Sequence, residues 1–129
     1  MIRILLVDDH GLLRAGLRSR LEREDGIAVV GEADSAERAV VVARAVQPDL
    51  ILLDLLLPRK SGYEVIPELV EVAPQARVLV VSSQAAPSSV RRALSAGAAG
   101  YLPKRSSDRE LVARPSGGTR AVLEFTEAA

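Results

Sequence analysis

Three aspartates, one serine and one lysine hold the reactive possibilities of this 129-residue chain. Asp8 and Asp9 sit together in "LLVDDHG", and Asp54 interrupts the aliphatic run "ILLDLLLP". Ser82 ends "RVLVVS", and Lys104 follows "GYLP". A lone carboxylate among leucines is costly to bury unless something pairs with it. Three carboxylates in one pocket repel one another until a hard cation neutralises them, and Mg²⁺ takes oxygen ligands, several of them waters. Lysine is a compact cation suited to a phosphoryl oxygen, and a serine hydroxyl can hydrogen-bond another. A carboxylate in that setting is a nucleophile toward phosphorus, and its product is an aspartyl phosphate. Mg²⁺ and lysine together stabilise charge on the transferring group.

Taken singly, each residue has an ordinary structural reading. Asp8-Asp9 suits a solvated loop and helix cap, Asp54 a strand end facing water, Ser82 a turn and Lys104 the surface. The elements that position them decide between the two. "IRILLV" (2–7) is a near-continuous apolar run, the mark of a strand buried on both faces. "GLLRAGLRSRLERE" (11–24) places Leu13, Leu17 and Leu21 four apart, an amphipathic helix closed by Asp25-Gly26. "IAVVGEA" (27–33) is a second strand, and Asp34-x-x-Glu37 resembles a capping box opening a helix to about Val46. Pro48 ends that helix, and "DLILLD" (49–54) is the third strand. Ser61-x-x-Glu64 is a further capping box, for a helix to about Val72 in which Pro67 predicts a kink or a delayed start. "ARVLVVSS" (76–83), a helix with Pro87 near its start and Gly97 past its end, "AGYLP" (99–103) and a last helix from "SDRELVAR" (107–114) complete the series.

Five strands interleaved with helices predict an α/β fold, a doubly wound, five-stranded open parallel sheet covered on both faces. Ligands of such sheets bind beyond the carboxyl ends of the strands, where strand order reverses. Asp8, Asp9, Asp54, Ser82 and Lys104 all follow or end strands on that edge, with the first, third and fourth strands side by side. Their joint position favours a site over five unrelated surface groups.

Composition sets the outer limits. Lys plus Arg and Asp plus Glu number 17 each, so net charge gives no reason to expect nucleic acid or a membrane surface. With no cysteine there is neither a disulfide framework nor a thiol site, which accords with a cytoplasmic location. Aromatic residues are 2%, so the core is aliphatic and base-stacking platforms are not expected. No secretory signal and no apolar run of membrane-spanning length are present. A metal-dependent phosphatase or flavodoxin-like cofactor binder ranks last, because no glycine-rich phosphate loop follows the first strand.

The motifs "VDDH", "DLLLP" and "GYLPK" resemble the receiver domain of two-component response regulators, over residues 2 to about 113. "LLVDDHGLLRAGLRSRLE" and "RRALSAGAAGYL" look most like the NarL/FixJ (LuxR-like) group. The resemblance implies the flavodoxin-like, CheY-like receiver fold and a phosphoryl transfer to Asp54 from a histidine of a sensor kinase. It makes Asp9 and Asp54 direct Mg²⁺ ligands, Asp8 a ligand through water, and Leu56 a ligand through its backbone carbonyl. It makes Ser82 the switch hydroxyl and Lys104 the phosphate-binding lysine. Tyr101 falls at the aromatic switch position, although an aromatic on a short strand has packing as an equal reading. His10 invites a metal or phosphoryl role, but a lone histidine after the acidic pair is expected to be a local structural residue, and the subfamily resemblance makes it a loop feature, not the phosphodonor. The implied protein is a phosphoacceptor that assists its own phosphorylation and dephosphorylation, not a turnover enzyme. A non-phosphorylated or stand-alone interaction module of the same fold is the alternative, and a homodimer is compatible with either.

Departures from the pattern are local until the C-terminus. Leu57 stands where the family usually has methionine, a volume-conserving exchange. Ser83 stands where alanine is preferred, and Pro103 and Arg105 flank Lys104. Residues 1–114 are expected to form the receiver and 115–129 a linker-like tail beginning "PSGG". Relatives continue into a helix-turn-helix domain that controls transcription. The eleven residues after Gly118 are too few for a recognition helix, so no DNA binding is expected from this chain alone.

Overall fold

The computed structural model describes residues 1–82 and 86–103. Within them the order is β1 (Ile2–Val7), α1 (Gly11–Glu22), β2 (Ile27–Ala33), α2 (Ala36–Val46), β3 (Leu50–Asp54), α3 (Gly62–Val72), β4 (Arg77–Ser82), α4 (Pro87–Ala96) and β5 (Gly100–Pro103). The strands form one parallel sheet in the order β2-β1-β3-β4-β5. β1, β3 and β4 are therefore neighbours, as the sequence predicts.

The aliphatic runs are explained by alternation across a doubly covered sheet. Leu5, Val7, Ile51, Leu53 and Val80 pack against Ala39 and Ala43 of α2, Ile66 and Leu69 of α3, and Ala93 of α4. Ile4, Leu6, Leu50, Leu52 and Leu79 face the other way, with Leu21 and the partly buried Leu17 of α1. Both parities of a central strand are thus buried, so no polar alternation survives in β1 or β3. Each fully buried leucine or isoleucine contributes roughly 1.5–3 kcal/mol. Alanines on the inner face of α2 let that helix lie close to the sheet.

The helix ends differ from expectation in three places. Asp34 is not the cap of α2: Ser35 is, and its Oγ accepts the Arg38 N–H at 3.1 Å. With Ser35 as the cap, Glu37 falls one position short of the place a capping box requires. Ser61 does cap α3, but its side chain makes no capping hydrogen bond; the Glu64 N–H goes to the Ser61 carbonyl at 3.2 Å instead. The start of α3 is not delayed by Pro67, which lies on its solvent side. α4 follows the proline–glycine asymmetry, with Pro87 in its first turn and Gly97 at φ 119°, a conformation glycine adopts without a Cβ penalty.

Ser83, Lys104, Arg105, the helix expected from "SDRELVAR" and the tail 115–129 lie outside the described residues. Among the described residues, no helix is long and apolar enough to cross a membrane.

Candidate functional site

β1 and β3 deliver the carboxylates. Val7 pairs with Leu53, so the residues that follow, Asp8 and Asp54, emerge side by side at the carboxyl edge of the sheet. The Asp8 N–H donates to the Ala33 carbonyl at 3.0 Å, which ties this exit to the end of β2. Asp54 is only 3% exposed, and its Oδ1 accepts the Leu56 N–H at 3.0 Å. That bond fixes the rotation of the carboxylate. Side-chain ligand atoms of Asp8, Asp9, His10 and Asp54 all lie within 4.8 Å of one another. Residues separated by more than forty positions therefore form one cluster. Its three carboxylates are hard oxygen donors, and this donor set suits a hard divalent cation such as Mg²⁺.

His10 joins the cluster more closely than its sequence position suggests. Its backbone N–H donates to Asp8 Oδ1 at 2.8 Å, and its Nδ1 lies 3.3 Å from that oxygen and 3.1 Å from Asp9 Oδ1. Behind the loop, Arg14 donates from Nη1 to the Asp8 carbonyl and from Nε to Glu32 Oε1 at 2.8 Å. Arg18 bonds the other Glu32 oxygen. Burial pushes the Glu32 carboxyl up, but the hydrogen bonds from Arg18 and Arg14 outweigh it and hold it below the usual range. Arg18 is correspondingly raised, chiefly by its hydrogen bond to Glu32. α1 is in this way fastened to the end of β2, one residue before Ala33 receives the Asp8 bond.

The other side of the site comes from β4 and β5. Asp54 pairs in register with Val81, which places Ser82 one residue further along the neighbouring strand. Ser82 is wholly buried. Tyr101 pairs with Val80 and packs, half-buried, against the core shared by α2, α3 and α4. Leu56 is exposed beside Asp54, whereas Leu57 packs on the core as a methionine of similar volume would. Lys104 follows β5 directly but lies outside the described residues.

Two features near the cluster have no motif in the sequence. A Cβ on Gly62 would come within 2.7 Å of Leu55 Cα and 3.0 Å of the Asp54 carbonyl oxygen. The Gly62 N–H meanwhile donates to the Leu55 carbonyl at 3.0 Å, so the first residue of α3 is pressed against the turn that holds Asp54. The Arg14–Glu32–Arg18 network is the other; its only trace is a pair of arginines one helical turn apart and an acid near the end of β2.

Comparison with known proteins gives concordant results. The family model "Response regulator receiver domain" matches residues 4–115. The response regulator GacA of Pseudomonas viridiflava is 40% identical over 112 residues, 87% of this chain and 52% of that protein. The signal receiver domain of NarL from Mycobacterium tuberculosis superposes with a TM-score of 0.85 at 34% identity, covering 99% of this chain and 98% of that one. A response regulator from Burkholderia pseudomallei, solved with a phosphorylated aspartic acid, calcium ion and citrate, gives 0.74 at 28% identity, over 100% and 76% of the two chains. The chain spans about half the length of the curated relatives it matches.

Proposed function

The chain belongs to the receiver domains of two-component response regulators, and from that premise we propose that Asp54 is its phosphoryl acceptor. Asp54 itself carries this reading: a buried carboxylate ends an aliphatic strand, with Asp8 and Asp9 gathered against it. A carboxylate placed there costs free energy that a purely structural strand end would not require.

Asp8, Asp9 and Asp54, with the Leu56 carbonyl, are the groups that would hold Mg²⁺. Bound there, the ion would neutralise the carboxylates and withdraw charge from the transferring phosphoryl group. In the transfer, an Asp54 oxygen forms a bond to phosphorus as the P–N bond of a sensor kinase's phosphohistidine breaks. The electron pair of that bond stays with the imidazole nitrogen, which then takes a proton. The Leu56 N–H keeps the Asp54 carboxylate from rotating during this exchange. Lys104 pairs with one phosphoryl oxygen and the Ser82 hydroxyl with another. Because Ser82 is wholly buried at the end of β4, engaging it shifts that strand end, and Tyr101 two positions back on the paired strand reorients with it. This biases a pre-existing two-state equilibrium. The same groups assist loss of the phosphoryl group to water, so the domain is a self-assisting phosphoacceptor.

Residues 1–114 are the receiver and 115–129 a linker in this reading. The output is transcriptional, through a helix-turn-helix domain in the remainder of a protein the length of its relatives, acting in the cytoplasm and compatible with a homodimer. The test is incubation with Mg²⁺ and acetyl phosphate followed by intact mass measurement. Wild type should gain the mass of one phosphoryl group and Asp54→Ala none. No gain, or equal gain in the variant, refutes the assignment.

A further inference from the structure

We propose that His10 supplies a nitrogen ligand to the acidic pocket, so that the pocket also takes a borderline transition ion such as Co²⁺, Ni²⁺ or Zn²⁺ through three carboxylates and one imidazole. The proposal rests on the reading of Asp8, Asp9 and Asp54 as a divalent-cation site and adds a second class of ion to it.

The backbone of His10 is held on both sides while its ring is committed to the pocket. Its N–H bonds Asp8 Oδ1, and its carbonyl accepts the Arg14 N–H at 2.9 Å. His10 occupies the cap position of α1, yet its side chain makes no capping bond. The ring instead stands at the mouth of the cluster, with the side chain 64% exposed and Nδ1 3.3 and 3.1 Å from the oxygens of Asp8 and Asp9. Neighbouring donors around an octahedral ion with bonds of about 2.1 Å lie about 3.0 Å apart. The two measured separations are therefore close to the edges of one coordination polyhedron, and the buried Asp54 carboxylate lies within 4.8 Å of the same atoms, on the inner side of the cluster.

Ligand preference then separates the ions. Mg²⁺ is served by carboxylate, carbonyl and water and gains little from an imidazole, whereas Co²⁺, Ni²⁺ and Zn²⁺ bind imidazole well and sit higher in the general order of divalent affinity. His10 accordingly contributes much more to binding of the second class than to Mg²⁺. The two classes exclude each other, because they share the three carboxylates.

The probe is the tag-free full chain, whose single histidine gives one unambiguous imidazole signal. Calorimetric titration with Mg²⁺ and with Co²⁺ is carried out on wild type and His10→Asn, and the imidazole ¹⁵N resonances are followed during Zn²⁺ and Mg²⁺ addition. The expected result is a Co²⁺ affinity lower by about tenfold or more in the variant and a clearly smaller change in Mg²⁺ affinity. Nδ1 should shift far more on Zn²⁺ addition, as a metal-bound nitrogen, than on Mg²⁺ addition, which alters only its carboxylate neighbours. Unchanged Co²⁺ affinity in His10→Asn, or equal losses for both ions, overturns the proposal and leaves the receiver reading standing. Wild type that binds Co²⁺ through His10 but never Mg²⁺ overturns the Mg²⁺ reading and leaves His10 as a ligand.

Discussion

A single methyl group tests how tightly the Asp54 turn is built. At position 62 it would meet the backbone of Leu55, which cannot swing aside as a flexible side chain can. Gly62→Ala is expected to lower stability by about 1–3 kcal/mol, the usual cost of overpacking, read from the urea midpoint. It should also weaken Mg²⁺ binding, since the displaced turn carries Asp54. Gly16 is the contrasting case: it lies exposed within α1 and a Cβ there meets nothing within 4 Å. Gly16→Ala should therefore raise stability by roughly 0.5–1 kcal/mol. At this scale the gathering of Asp8, Asp9 and Asp54 at one edge was legible, because carboxylates that follow or end buried strands are conspicuous. The contact of His10 with two carboxylates was not, since it depends on the rotamer of one side chain. Nor does a strand-end serine announce whether its hydroxyl is open to solvent; Ser82 proved fully enclosed.

Among the elements, caps were the least readable part. Asp34 and Ser35 are both good capping types, and spacing alone favoured the first through Glu37. The backbone places Ser35 at the cap, so Ser35→Ala should cost about 1 kcal/mol, while Asp34→Ala should shift the thermal midpoint much less. Strands, by contrast, were readable almost to the residue, because burial on two faces leaves uninterrupted aliphatic stretches in β1, β3 and β4. The α1–β2 fastening adds a pH dependence. Glu32 has a folded-state pKa below its ordinary value, so its contribution is fully present above the ordinary carboxyl range and is lost as pH falls through the folded-state value. Wild type should exceed Glu32→Gln in stability at neutral pH, by about 1 kcal/mol or less for a partly exposed pair. That margin should close on the acid side of the carboxyl range, measured by urea denaturation across pH.

Across the whole molecule, the parallel sheet and the adjacency of β1, β3 and β4 were predictable, because alternating strands and helices admit few topologies. Its energetic centre is β3, all of whose five residues are buried. Leu53→Ala is expected to cost about 2–5 kcal/mol, the range for deleting a buried leucine, measured as loss of the cooperative urea transition midpoint.

β3 also enters the sheet between β1 and β4, although β1 and β2 are consecutive in the chain. During synthesis, the first two strands and both of their helices leave the ribosome before residues 50–54 do. A nascent chain of that length carries Asp8 and Asp9 but not yet Asp54, and neighbours distant in sequence pair slowly. The acidic cluster is therefore complete only once β3 lies beside β1. A divalent ion captured there would report the docking of β3 as directly as any spectroscopic label.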